Sequence, residues 1–160
     1  MKRVTKSTLF AMAASLVFAP GALAKTTKLV GTSCWTGERS LISTSKGNMA
    51  WTYTLNFTFL PDDKDAENLM AGTCIGSGAL VAGKPQSLPL FCSNLTGDGS
   101  TFMGRVEGGA EEMKSSYFGG TGKFEGITGG SVGGPRMKFP APKGSFAGCR
   151  PVEIEYTVPD

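Results

Sequence analysis

The chain has 160 residues, with 16 Lys and Arg against 13 Asp and Glu, 23 glycines, four cysteines and no histidine. The missing histidine excludes Ser-His-Asp triads, Cys-His pairs, H-E-x-x-H zinc sites and imidazole acid–base chemistry. Three basic residues and no acid fall in residues 1–24, so residues 25–160 carry 13 of each sign, and no basic stripe marks a nucleic-acid partner.

The chain opens with a positively charged segment holding Lys2, Arg3 and Lys6. An apolar run follows from Leu9 to Ala19, 11 residues counting Ser15. That is too short to span a bilayer, which takes about 20 apolar residues. Pro20 and Gly21 break the run, and Ala22-Leu23-Ala24 supplies the small-x-small pattern of a cleavage site. The sequence therefore predicts a secretory signal peptide over 1–24 and a single domain over 25–160. The expected location is periplasmic or secreted, with no membrane insertion. Four cysteines in an oxidising compartment read as two disulfides. They lie 40, 18 and 57 residues apart with no C-x-x-C pair, so no metal site is expected.

No segment sustains a 3.6-residue apolar period, and the glycine content disfavours helix interiors. Lys28–Ser33 is predicted to open the fold as a strand. From 51 to 59 the alternation is clear. Trp51, Tyr53, Leu55, Phe57 and Phe59 share one face, and Thr52, Thr54, Asn56 and Thr58 the other. Pro61–Asn68 reads as an acidic loop. Its Asp62, Asp63, Asp65 and Glu67 lack the glycine and glutamate spacing of an EF-hand, so a solvated turn is expected. Weaker strands are predicted at 71–75 and 79–82 (one strand with a glycine bend), 88–93, 101–107, 112–118 and 126–132. Glycine-rich turns separate them. Glu107, Glu111 and Glu112 flank one of these turns and are read as exposed charges. Arg136–Gly148 is expected to be a long loop. Val152, Ile154, Tyr156 and Val158 then alternate with Glu153, Glu155 and Thr157 in a last strand.

About eight strands at hairpin spacing predict an all-β fold, a small antiparallel β-barrel bridged by disulfides. Cys74 and Cys92 are symmetric about the turn at Gly83, so a hairpin would bring them face to face. Cys34 ends the first strand and Cys149 precedes the last. In a closed even-stranded barrel those strands are antiparallel neighbours. The expected pairs are Cys74–Cys92 and Cys34–Cys149. Asn56-Phe57-Thr58 and Asn94-Leu95-Thr96 fit the glycosylation sequon, but the leader is of bacterial type and both are read as coincidence.

The most distinctive stretch is Tyr117-Phe118-Gly119-Gly120-Thr121-Gly122-Lys123-Phe124-Glu125-Gly126-Ile127-Thr128-Gly129-Gly130. Gly119, Gly120 and Gly122 are expected to turn sharply with positive φ, Phe124 to plug the core, and Gly126 to let the next strand coil. A phosphate loop is excluded, because Phe124 stands where Ser or Thr should follow the lysine. The pattern G-G-T-G-[KR]-F-x-G-x-x-G resembles the signature of the allene oxide cyclase barrel-like group, which also includes plant dirigent proteins. The resemblance implies a small barrel that holds an apolar ligand in its mouth, often in an oligomer, with no cofactor. Members of the group are cyclases, or guides that orient a reactive intermediate. Their catalytic carboxylates and cysteine have no matching position here, so no catalytic residue is carried over.

The expected function is binding of a small apolar ligand, or a structural role, without catalysis. The expected ligand wall is Trp51, Tyr53, Phe57 and Tyr117. The alternative is a cofactor-free isomerase or cyclase acting on a small hydrophobic substrate. A homo-oligomer built on an exposed barrel face is the third expectation. A buried carboxylate facing an open cavity would favour the enzyme; a filled interior would remove both pocket readings.

Overall fold

The computed structural model describes residues 24–63 and 66–160. The predicted signal peptide, up to residue 23, and Asp65 of the acidic loop lie outside the described residues. The strands are β1 (Lys25–Ser45), β2 (Asn48–Pro61), β3 (Met70–Val81), β4 (Lys84–Ser87), β5 (Leu90–Thr96), β6 (Thr101–Gly108), β7 (Met113–Gly120), β8 (Thr128–Gly133), β9 (Met137–Phe139) and β10 (Ser145–Val158). Every pairing is antiparallel. The order β1-β2-β3-β5-β6-β7-β8-β10 closes through a β1–β10 ladder running from Lys25↔Val158 to Glu38↔Ser145. This is a closed eight-stranded barrel. Two further segments extend its staves. β4 continues β5 beside β3, and β9 continues β8 beside β10. Pro89 and Pro135 fall at the two breaks, where a residue without N–H cannot serve a ladder.

The two clearest strands behave as their alternation requires. In β2 the aromatic face is turned inward and the threonines are exposed. In β10 Val152, Ile154 and Tyr156 are buried while Glu153 and Glu155 face solvent. Two sequence expectations need correction. The first strand does not stop at Ser33 but runs to Ser45. Its later half has no clear alternation and is held in extended form by β2 along its length and by β10 as far as Glu38. The expected loop at 136–148 contains β9 and the start of β10. A three-residue strand is too short for a periodic signal.

Cys34↔Cys149 and Cys74↔Cys92 are directly opposed in the ladders, and both pairs form disulfides. The first joins the two strands that close the barrel. The second lies on the inner wall.

One end of the barrel is plugged. Leu29, Phe59, Met70, Phe102, Phe124, Ile127, Val152, Ile154 and Tyr156 form the core there. Phe124 comes from the glycine motif. It is 1% exposed, 4.6 Å from the Phe102 ring and 5.5 Å from Tyr156. Gly119 and Gly122 have φ of +52° and +59°, as a sharp turn of this kind needs. Gly120 differs from expectation: it is required by space rather than by φ, since a Cβ there would lie 1.9 Å from the Phe124 carbonyl oxygen. Beside the plug, the Asp98 carboxylate accepts from Thr96 Oγ1 at 2.6 Å and from the Ser100 N–H at 3.0 Å. Lys123 Nζ stands 3.1 Å away.

The other end is open. Beyond Glu38, β1 has lost β10, yet β1, β2, β3 and β4 continue as an apron above the mouth. Its two hairpin tips are tied by the Gly83 N–H donating to the Gly47 carbonyl (2.8 Å) and the Ala82 N–H donating to Asn48 Oδ1 (3.0 Å).

Candidate functional site

The inward aromatic side chains do not fill the bore. Six of them face a glycine on a neighbouring strand, while Phe59 faces Met70. Trp51 opposes Gly78, Tyr53 opposes Gly76, and Phe57 opposes Gly72 across β2 and β3. Trp35 opposes Gly148 and Phe146 opposes Gly37 across β1 and β10. Tyr117 opposes Gly104 across β6 and β7. A Cβ on Gly78 would lie 2.5 Å from Trp51 Cζ2, and one on Gly76 would lie 2.9 Å from the Tyr53 hydroxyl. The rings therefore lie flat on bare backbone and pave the wall. Eight-stranded barrels are just wide enough to be filled by side chains or to hold one small ligand. Here the paving leaves a cavity of about 700 Å³. That is the size range of small-molecule sites.

Trp51, Tyr53, Phe57 and Tyr117 all line this cavity. Tyr53 and Tyr117 add hydroxyls to the wall, alongside the polar side chains of Asn94, Ser115 and Ser131. Burial raises both phenol pKa values above the ordinary tyrosine range; for Tyr117 the hydroxyls of Ser131 and Ser115 pull the other way. Both are therefore neutral donors at neutral pH. Ser115 and Ser131 share a hydrogen bond of 2.7 Å between their hydroxyls. Asn94 is buried and donates to the Phe102 carbonyl at 3.1 Å, so its side-chain nitrogen serves the fold.

Sequence reasoning missed Trp35, Phe146 and Arg150. Arg150 was legible in principle. It sits in phase with Val152, Ile154 and Tyr156, so extending the alternation by one step turns it inward. Its side chain is 5% exposed and lies over Gly133, with its guanidinium carbon 5.6 Å from the Trp35 ring centroid. Nη2 donates to the Gly109 carbonyl at 2.9 Å. Burial lowers the Arg150 pKa, with Arg136 adding to the effect, but a guanidinium stays charged at neutral pH.

The carboxylates flagged in the sequence are elsewhere. Glu107 reaches the cavity rim but is exposed and paired with Arg105; Glu112 pairs with Lys114 outside. Among the described residues no group of His, Cys, Asp and Glu is placed to hold a metal ion. No helix among them is long and apolar enough to cross a membrane.

No protein-family model and no curated protein sequence matches the chain. A solved structure does. The pterocarpan synthase dirigent protein GePTS1 superposes with a TM-score of 0.52 at 12% identity, over 96% of this chain and 100% of that one. The shared feature is the barrel fold. At that identity the likeness shows the fold alone, not residues of the wall.

Proposed function

We propose that this protein is an exported, non-catalytic binder of a small apolar molecule, held in the open end of the barrel. The observation that carries the reading is the hollow interior: six aromatic rings are laid on glycines and so leave about 700 Å³ free. A chain under selection only for stability fills such a space, because unfilled volume costs dispersion contacts. The cyclase alternative needs a buried carboxylate facing the cavity. Glu107 is the one carboxylate among the described lining residues, and it is exposed and paired. That favours binding over catalysis. Export is supported by the leader pattern and by two disulfides, which persist in oxidising compartments. A homo-oligomer belongs to the same reading, through the exposed Ile75, Phe91, Leu95, Met103 and Phe118 on the outside of β3, β5, β6 and β7.

Two measurements test the binding. Native mass spectrometry of the protein isolated from the export compartment should show a small co-purified mass. The neutral dye N-phenyl-1-naphthylamine should gain fluorescence on titration and be displaced by that compound. A clean apo mass together with no dye uptake would remove the proposal.

A further inference from the structure

The cavity carries a charge pattern that an apolar ligand alone does not explain. Residues 25–160 hold equal numbers of acids and bases. The cavity lining does not: it includes Arg39, Arg136, Lys138 and Arg150 against the single acid Glu107, itself paired with Arg105. None of the four cations makes an ion pair among the described residues. Positive charge concentrated in a low-dielectric concavity focuses its field on whatever enters.

Arg150 is the sharpest part of the pattern. Charged side chains are rarely this buried unless paired. Yet its Nε and Nη1 have no hydrogen-bond partner among the described residues, while Nη2 is held by the Gly109 carbonyl. The guanidinium is positioned from two sides, by the Trp35 ring and by the Gly109 turn. That turn is itself anchored where the Arg136 N–H donates to the Ala110 carbonyl at 2.8 Å. A long side chain so fixed in the cavity wall, with two buried donor nitrogens left unsatisfied, presents a positioned partner for an anion.

We propose, resting on the binding function above, that the ligand is an apolar carboxylate whose head pairs with Arg150 and whose body lies on Trp35, Trp51, Tyr53 and Phe146. The single buried guanidinium matches a single negative charge. A phosphate monoester carries nearly two at neutral pH, and its second charge would be left to the more exposed cations at the rim. The pairing exchanges unsatisfied buried donors for charge-assisted hydrogen bonds, which is the contact that discriminates most strongly between ligands with and without the acceptor.

The test is a matched set of probes: 1-naphthaleneacetate, the neutral 2-(1-naphthyl)ethanol and 1-naphthyl phosphate, each measured by displacement of N-phenyl-1-naphthylamine. The wild-type protein is expected to prefer the carboxylate over the alcohol by roughly ten- to a hundredfold, the size of a hydrogen bond to a charged group. The preference should survive high salt, since buried pairs are little screened. In Arg150→Met the carboxylate-to-alcohol ratio should fall to near one, and in Arg150→Lys it should be partly kept. Because the readout is a ratio within one variant, a general loss of stability does not mimic it. Equal affinities in the wild type, or a preference that survives Arg150→Met, would overturn the assignment of Arg150. Tighter binding of the phosphate than the carboxylate would overturn the carboxylate. Failure of the dye itself to bind wild type would overturn the cavity reading as well, which separates that failure from the others.

Discussion

Replacing Gly78 by alanine tests the idea that glycines hold the barrel open. Gly78 has no left-handed φ, so alanine fits its backbone. The three atoms nearest to its added Cβ all belong to the Trp51 indole, at 2.5, 2.6 and 2.9 Å. Ordinary contact begins at 3.4 Å, so the ring must retreat by about 1 Å, and the way open to it is into the bore. Overpacking of this kind costs about 1–3 kcal/mol. Removing a strand glycine returns about 0.5–1 kcal/mol. Trp51 is only half-buried and can swing, which places the cost near the low end. The expected net is a destabilisation of about 0–1 kcal/mol, which moves Tm down by at most about 5 °C. Dye affinity should fall by roughly tenfold, the equivalent of about 1.4 kcal/mol of lost contact. Thermal melts by circular dichroism and dye titration would measure both. The double variant with Trp51→Leu should recover the lost stability, giving a coupling above about 0.5 kcal/mol. Wild-type dye affinity in Gly78→Ala, or strict additivity in the cycle, would refute the reasoning.

Three further outcomes follow from the plugged end and the bridges. Phe124→Ala should destabilise by about 3–5 kcal/mol, the usual cost of removing a fully buried ring, measured by urea titration; a loss under 1 kcal/mol would mean that the glycine turn holds the floor without it. Replacing both Cys34 and Cys149 by alanine should cost more than replacing Cys74 and Cys92. The sequence separations are 115 and 18, for which loop-closure entropy gives about 5 and about 3 kcal/mol. The reverse order would contradict the chain-entropy account. The Asp98 carboxylate is held well below the ordinary range, chiefly by the Thr96 hydroxyl, then by the Ser100 N–H and Lys123. A depressed folded-state pKa stabilises at pH values above the unfolded pKa and is lost as pH falls below it. Wild type should therefore lose stability relative to Asp98→Asn as the pH drops below about 4, and parallel pH–Tm curves for the two proteins would contradict this.

How much was legible depended on whether a segment's neighbours were needed to define it. Trp51–Phe59 and Val152–Val158 each carry one apolar and one polar face, so their strands can be read from local alternation. Gly119 and Gly122 with Phe124 could be read as a turn over a core plug because the turn is local. The later half of β1 could not, since Thr36–Ser45 is extended only by virtue of β2 along its length and β10 as far as Glu38. β9 is three residues long and has no period to detect. Arg150 was missed for a different reason: a charged residue next to Cys149 and Pro151 looks like a surface turn until the strand that contains it is known to start at Ser145.

The amino-acid sequence by itself determined the all-β class, the inward face of β2 and β10, and the positions at which tight turns are permitted. These follow from side-chain period and backbone freedom, which are properties of neighbouring residues. The tertiary structure alone decided that the aromatic residues of the wall sit opposite glycines, with Tyr53 and Phe146 also meeting edge to face. Register sets which residue of one strand faces which of the next, and a shift of one position would turn every ring to the outside. It also decided that Arg150 is buried without a carboxylate beside it. Both facts are cross-strand relations, and from them come the hollow bore and its positive charge.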